Sequence, residues 1–216
     1  MPDADHLIDG PENAPVTVIL AHGAGAPMDS LYMQTFAEGL AGHGLRCIRF
    51  EFPYMAERRI TGKKKPPNRM PILMDAWLDV INRYRTEPAT PLIIGGKSMG
   101  GRVASMVAAQ GDIDGNPVEG VACLGYPFHP PGKPEKLRLD HFGDLKTPTL
   151  FLQGTRDPFG TRDEVSGFTL PPCAEVHWLE DGEHGFKPRK KSGRTEEQNW
   201  REAIDTLAAF ARRCAA

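Results

Sequence analysis

Residues 91–108 read PLIIGGKSMGGRVASMVA, and this stretch decides the fold. Residues 91–95 form a short apolar run typical of a buried strand, and the segment that follows carries Val103 and Val107 at helical spacing. Between them lies the G-x-S-x-G pattern of a sharp strand-to-helix turn. Glycines are needed there because side chains would collide with the neighbouring strand and helix, and the serine takes a strained backbone conformation. The pattern predicts that the Ser98 hydroxyl stands exposed above the sheet as a nucleophile.

Length and composition indicate one soluble globular domain over residues 1–216, with 40% hydrophobic and 25% charged residues. No apolar run approaches the ~18 residues that a bilayer span requires. The first residues carry acids where a secretory signal needs basic residues and then an apolar stretch. The sequence therefore predicts a cytoplasmic protein without a membrane partner. The formal net charge of -2 provides no overall reason to expect a nucleic-acid partner.

Short apolar runs alternate with longer amphipathic segments, which is typical of βαβ units and a mostly parallel sheet. The runs are almost continuously apolar, as expected of strands covered on both faces. Right-handed crossovers place helices on both faces and bring the strand-to-helix loops to one edge, where we expect the functional residues. About six strands are predicted, at residues 16–21, 45–50, 91–95, 118–125, 149–153 and 174–179.

Three further helices are predicted from apolar stripes at helical spacing. The stripe over residues 33–41 has Ser30 placed to cap its start. The second follows Pro71, which suits a first helical turn. The third follows Thr195 and Gln198, which have the spacing of a capping box.

A serine hydroxyl needs a base within hydrogen-bond reach and a carboxylate that orients this base. His184 is the candidate base because its loop follows the last predicted strand directly. Asp157 is the candidate acid because it lies in the loop after residues 149–153, at the same predicted edge.

Other acids and histidines remain alternatives. Asp163 better fits a helix start, Asp181 a solvated loop position, and Asp140 follows the fourth predicted strand. Solvated or packed roles are expected for His6, His43, His141 and His177.

A turn of small residues, HGAGA at residues 22–26, follows the first predicted strand. The backbone amide of Ala24, or alternatively that of Gly25, is predicted to form an oxyanion hole together with the Met99 amide. His22 is expected to brace this turn through its ring nitrogens. Candidate substrate contacts are His22, Gly25, Lys97, His129 and Lys187.

Two basic segments follow strands at the Ser98 edge. They could focus positive potential on the site and favour an anionic substrate or an acidic partner, whereas ordinary solvated charge explains them as well. Their basic residues are Arg58, Arg59, Lys63, Lys64, Lys65 and Arg69 in the first segment, and Lys187, Arg189, Lys190, Lys191 and Arg194 in the second.

The segments HGAGAPMDS, GGKSMGGR, LQGTRDPFG and GEHGF, in this order, resemble the α/β-hydrolase superfamily, specifically its small dienelactone-hydrolase-like members. GKSMGGR and HGFKPRKKSGRT are also similar to the hydrolase-like domain of a eukaryotic histone-acetyltransferase-complex subunit and its bacterial relatives. The resemblance implies a triad of Ser98, Asp157 and His184, and neither a metal nor an organic cofactor. Dienelactone hydrolases carry a cysteine nucleophile, so their substrate does not carry over to this chain.

Only residues 126–146 are available where many such proteins insert a lid, so we expect a compact α/β-hydrolase fold with no substantial lid and an open site. The expected function is a serine hydrolase of carboxylic esters or thioesters, acting on a small-molecule acyl substrate through an acyl-enzyme intermediate. The alternative is a catalytically weak interaction module that docks an acidic partner through the basic segments.

Overall fold

A mostly parallel sheet forms the centre of the protein, for which a computed structural model describes residues 6–85, 90–111 and 118–216. Within these ranges the sheet has seven strands in the order β1-β3-β2-β4-β5-β6-β7. The strands are β1 (Leu7–Asp9), β2 (Thr17–Ala21), β3 (Arg46–Phe50), β4 (Leu92–Lys97), β5 (Gly120–Leu124), β6 (Thr149–Gly154) and β7 (Ala174–Leu179).

The six predicted strands are confirmed as β2 to β7, all connected by parallel pairing. The edge strand β1 was not predicted. It pairs antiparallel with β3, with Leu7 opposite Arg49. Its three residues are at most half-buried, and one of them is an aspartate, so they do not form an apolar run.

Six α-helices lie within the part of the chain that the structure describes, and none is both long and apolar enough to cross a membrane. The three helices predicted from apolar stripes are confirmed as α1, α3 and α6, and the helical segment after the G-x-S-x-G turn as α4. The helices are α1 (Leu31–Gly42), α2 (Pro53–Thr61), α3 (Met70–Tyr84), α4 (Met99–Ala108), α5 (Arg162–Val165) and α6 (Glu196–Cys214).

Helix α2 changes the interpretation of the first basic segment. Arg58 and Arg59 lie in its last turn rather than in a loop. The helix has a weak apolar signal because only Tyr54 and Met55 are buried. Sequence periodicity therefore missed it.

The core lies in two layers, one on each face of the sheet. Because successive strand side chains point to opposite faces, Ile19 and Ala21 pack in the layer that includes residues of α3 and α4. Val18 and Leu20 pack in the layer that includes residues of α1 and α6. This arrangement confirms helices on both faces. Residues 126–146, all of them described, hold neither helix nor strand, consistent with the absence of a lid.

The helix ends differ in how they are capped. The Thr195 hydroxyl accepts from the Gln198 amide at 3.2 Å, and the Gln198 side chain accepts from the Thr195 amide at 2.9 Å, which confirms the capping box. Pro71 lies in the first turn of α3 as predicted. Ser30 occupies the N-cap position of α1 as predicted, but its side chain makes no capping hydrogen bond.

Replacing Thr195→Ala removes a capping acceptor and is expected to lower the free energy of unfolding by about 1 kcal/mol. Ser30→Ala is the matched control, because it removes an N-cap hydroxyl that makes no capping bond, and it should change stability by less than about 0.5 kcal/mol. Urea denaturation, monitored by circular dichroism, measures the free energy of unfolding of both variants. Equal losses in the two variants would contradict this assignment of the caps.

Candidate active site

The turn between β4 and α4 holds Ser98 in a strained conformation. Its backbone has φ 51° and ψ -114°, a region that non-glycine residues rarely adopt. The Ser98 amide donates to the Leu124 carbonyl of β5 at 3.0 Å. A Cβ at Gly96 or at Gly100 would lie 2.2 or 2.5 Å from the Ala21 carbonyl oxygen, so β2 leaves room only for glycine. The sharp turn predicted from G-x-S-x-G is therefore present.

Loops at one edge of the sheet bring three distant side chains into one hydrogen-bonded chain. The Ser98 Oγ lies 2.9 Å from Nε2 of His184, and Nδ1 of the same ring lies 2.8 Å from Oδ2 of Asp157. Because an ionised carboxylate only accepts, Nδ1 carries the proton and Nε2 is free to accept from the Ser98 hydroxyl.

Asp157 is fully buried, at 0% exposure, yet its carboxylate is well supplied with donors. Oδ1 accepts from the Phe159 amide at 2.9 Å, and Oδ2 accepts from Nε2 of Gln153 at 3.0 Å in addition to His184. These bonds offset the cost of burying the charge. Sequence reasoning treated Gln153 only as a strand end. The signal it overlooked was a polar side chain closing an apolar run.

The His184 imidazole is partly shielded from water, with 19% of its side chain exposed. The Phe159 ring lies against it, with ring centroids 4.2 Å apart. Burial lowers the pKa of His184, the Asp157 hydrogen bond raises it, and the nearby Lys97 ammonium lowers it further. Because the net shift is downward, the ring is neutral at neutral pH, which is the form that accepts a proton.

Two carbonyl groups of the turn after β2 accept hydrogen bonds from the side chains of His22 and Tyr54. The Gly23 carbonyl accepts from Nδ1 of His22 at 2.6 Å, and the Ala24 carbonyl accepts from the Tyr54 hydroxyl at 3.0 Å. In a trans peptide the following N–H points opposite to the carbonyl. The amides of Ala24 and Gly25 therefore point away from His22 and Tyr54.

This turn lies directly beside the serine. A Cβ built on Gly23 would be 3.7 Å from the Ser98 Cβ. Met99 begins α4, and amides in the first turn of a helix have no acceptor within the helix. The Met99 and Ala24 amides thus belong to the two backbone segments that meet at Ser98.

Two of the candidate substrate contacts, His22 and His129, are buried, so the prediction that they contact a substrate is wrong. His22 has 0% exposure, and its Nε2 accepts from the Phe52 amide at 3.1 Å, so it braces the turn and is not available to a substrate. His129 has 2% exposure, and its Nδ1 lies 2.9 Å from the Pro130 carbonyl. Its imidazole therefore cannot line an open pocket.

The other three candidate contacts differ in exposure. Gly25 is exposed on the turn, and Lys187 is exposed with its Nζ 3.5 Å from Glu196. Lys97 turns inward, and its ammonium donates to the His184 carbonyl.

A second serine-histidine pair has the opposite hydrogen-bond direction. Nε2 of His141 lies 2.8 Å from the Ser105 Oγ, but that hydroxyl donates to the Arg102 carbonyl at 2.8 Å. His141 must therefore donate to Ser105 rather than take its proton. Burial and the nearby Arg102 lower the pKa of His141 to about 4. This pair lacks the geometry of a base with its nucleophile.

The rival acids lie outside the hydrogen-bonded chain of Ser98, His184 and Asp157. Asp163 lies in the first turn of α5, as expected. The solvated position expected of Asp181 is wrong, because it is buried and paired with Arg189 and Arg156. The Arg189 hydrogen bond is the main cause that lowers the pKa of Asp181 to about 2. Asp140 is exposed.

The remaining histidines make structural contacts: His6 with Tyr84, His43 with Asp205 and His177 with Glu202. Across residues 6–85, 90–111 and 118–216, no cluster of three or more His, Cys, Asp or Glu side chains could hold a metal ion.

The fold and the site define a hydrolase of the α/β-hydrolase class. The chain belongs to the α/β-hydrolase family, since a family model described as an alpha/beta hydrolase domain matches residues 14–212. This match confirms the superfamily predicted from the motifs. The similarity to a histone-acetyltransferase-complex subunit stays a prediction.

Solved structures share the fold over nearly the whole chain. Est1E from Butyrivibrio proteoclasticus matches with a TM-score of 0.68 and 13% identity, covering 95% of this chain and 93% of its own. A Xanthomonas campestris protein described as an a/b serine hydrolase without lid matches with a TM-score of 0.65 and 21% identity. The match covers 97% of this chain and 88% of that protein. A dienelactone hydrolase from Anabaena variabilis matches with a TM-score of 0.67 and 20% identity. The match covers 96% of this chain and 88% of that protein. At these identities the likeness concerns the fold alone.

Replacing Gly100→Ala should force α4 away from the turn after β2, because the new Cβ would lie 2.5 Å from the Ala21 carbonyl and 2.7 Å from the His22 carbonyl. We expect a loss of about 1–3 kcal/mol in the free energy of unfolding. Gly143→Ala is the control, since a Cβ there has nothing within 4 Å. If urea denaturation gave the Gly100→Ala variant the same free energy of unfolding as the parent protein, this would contradict the close packing of the turn.

Proposed function

We propose that this protein hydrolyses carboxylic esters or thioesters of small-molecule acyl substrates through a covalent intermediate on Ser98. The observation that carries the proposal is the continuous hydrogen-bond chain from Ser98 to His184 to Asp157, at 2.9 and 2.8 Å. A neutral imidazole oriented by a buried carboxylate is the arrangement that activates a serine hydroxyl.

In the proposed reaction, the Ser98 Oγ attacks the acyl carbonyl carbon while Nε2 of His184 takes the hydroxyl proton. Asp157 holds the ring and stabilises the imidazolium that forms. The Ala24 and Met99 amides donate to the oxyanion of the tetrahedral intermediate. His184 then protonates the leaving alcohol or thiol as its bond to the acyl carbon breaks. Water, deprotonated by the same ring, releases the acid and restores Ser98.

The proposed preference for an anionic substrate is best supported by Arg58. Its Nη1 lies 3.5 Å from the Gly25 carbonyl, so a positive charge stands beside the proposed oxyanion turn. Many cations of the basic segments are instead neutralised by nearby acids, which weakens the case for an interaction module that docks an acidic partner. These ion-paired residues are Arg59, Lys65, Lys187, Arg189 and Arg194.

We also propose that residues 1–216 form a single domain, since the family match spans residues 14–212. The cytoplasmic location stays a prediction from the sequence.

A fluorophosphonate probe should label the peptide that contains Ser98, and Ser98→Ala should abolish labelling and lower ester hydrolysis by at least about a thousandfold. Ser105→Ala is the matched control, because it removes the other histidine-bonded serine while leaving the triad in place. Mass spectrometry locates the label. Absence of labelling in folded protein, or labelling at Ser105, would contradict the proposal.

The rate of hydrolysis should fall at acidic pH as His184 becomes protonated. Because the pKa of His184 is lowered from its ordinary value of 6.5, activity is expected to be fully developed at neutral pH and to be lost only below pH 6.5. The pH dependence of kcat/KM measures this limb in the free enzyme. An acidic limb centred above pH 6.5 would contradict the assignment of His184 as a buried base.

A further inference from the structure

Lys97 is the last residue of β4 and directly precedes Ser98, yet its side chain turns toward the loop that carries His184. Its ammonium donates a hydrogen bond to the His184 carbonyl. Ser98 and His184 lie 86 residues apart in the chain, and this bond ties the side chain of the residue before Ser98 to the backbone of His184.

The Lys97 ammonium is packed between two aromatic rings. Its Nζ lies 5.5 Å from the ring centroid of Tyr32 and 5.6 Å from that of Phe186, distances at which aromatic faces attract a cation. A Cβ at Gly125 would lie 2.6 Å from the same nitrogen, so the absence of a side chain there makes space for it. Burial lowers the pKa of Lys97 to about 8, while Asp157 and Glu183 oppose this shift.

We propose that Lys97 is a positioning residue that holds the His184 loop in register with Ser98 and places a positive charge beside the imidazole at neutral pH. This inference rests on the proposed function and deepens it. Lys97 acts through His184, because its donor is already bonded to the carbonyl of that residue. It need not touch the reacting atoms.

The charges around the imidazole determine the direction of the effect. Asp157, from the loop after β6, and Glu183, from the loop of His184 itself, both favour the imidazolium form, whereas the Lys97 ammonium from β4 disfavours it. Tyr32 of α1 faces the same cluster as a neutral phenol, because burial raises its pKa. Removing the ammonium therefore makes His184 retain its proton to a higher pH.

The test replaces Lys97→Met, which keeps an unbranched chain but removes the charge and the donor. We expect kcat to fall by about tenfold to a hundredfold with little change in KM, since the loss is one of positioning. We also expect the acidic limb of the pH profile to move to higher pH. Lys146→Met is the matched control, because Lys146 also donates to a backbone carbonyl, that of Gly143, before the amino end of β6. It should leave both quantities unchanged.

An NMR titration of the His184 ring nitrogens gives a readout that does not depend on activity. The pKa of His184 should be higher in the Lys97→Met variant than in the parent protein, even if no ester is hydrolysed. A failure of the proposed function would then appear as a parent protein without turnover, whereas a failure of this inference would appear as a His184 titration that does not move. If Lys97→Met does not fold, Lys97→Gln removes the charge while keeping a polar side chain, and the pKa of His184 should again be higher than in the parent protein. An unchanged kcat or an unchanged His184 titration in a folded variant would overturn the inference.

Discussion

The strained backbone at Ser98 is the constraint on which the other features of the site depend. A positive φ at a serine costs about 1–3 kcal/mol and persists only where the surroundings enforce it. Here β2 approaches so closely that only glycine fits at Gly96 and Gly100, and β5 holds the Ser98 amide. The turn that contains Ser98 therefore sets one side of the site. It presents the hydroxyl, and it starts α4 at Met99 next to the turn after β2.

The other side of the site comes from loops that are held by specific bonds. Asp157 is fixed by donors from Gln153 and Phe159, and the His184 loop is tied to β4 through Lys97. The Gln153 and Phe159 donors support the Asp157 carboxylate, while the Lys97 bond reaches the backbone of His184 directly. A fixed scaffold of this kind lowers the cost of reorganising the site during a reaction.

Much of this arrangement could be predicted from the sequence because the signals are local. Apolar runs located six strands, and the G-x-S-x-G pattern located Ser98. Ser98 bonds the predicted His184, which in turn bonds the predicted Asp157. The edge strand β1 and helix α2 bury few residues, so periodicity carried no signal for them. The burial of His129 and Asp181 and the inward turn of Lys97 depend on packing between distant loops, which spacing along one chain does not encode.

The proposed chemistry requires that Ser98 forms a covalent acyl intermediate with the aid of His184. Quenched-flow mass spectrometry of the parent protein mixed with an activated acetyl ester tests it most directly. We expect a transient gain of one acetyl group on the peptide that contains Ser98, which disappears as free acid is released. Turnover without any acylated protein, or an acyl group found on another residue, would contradict it.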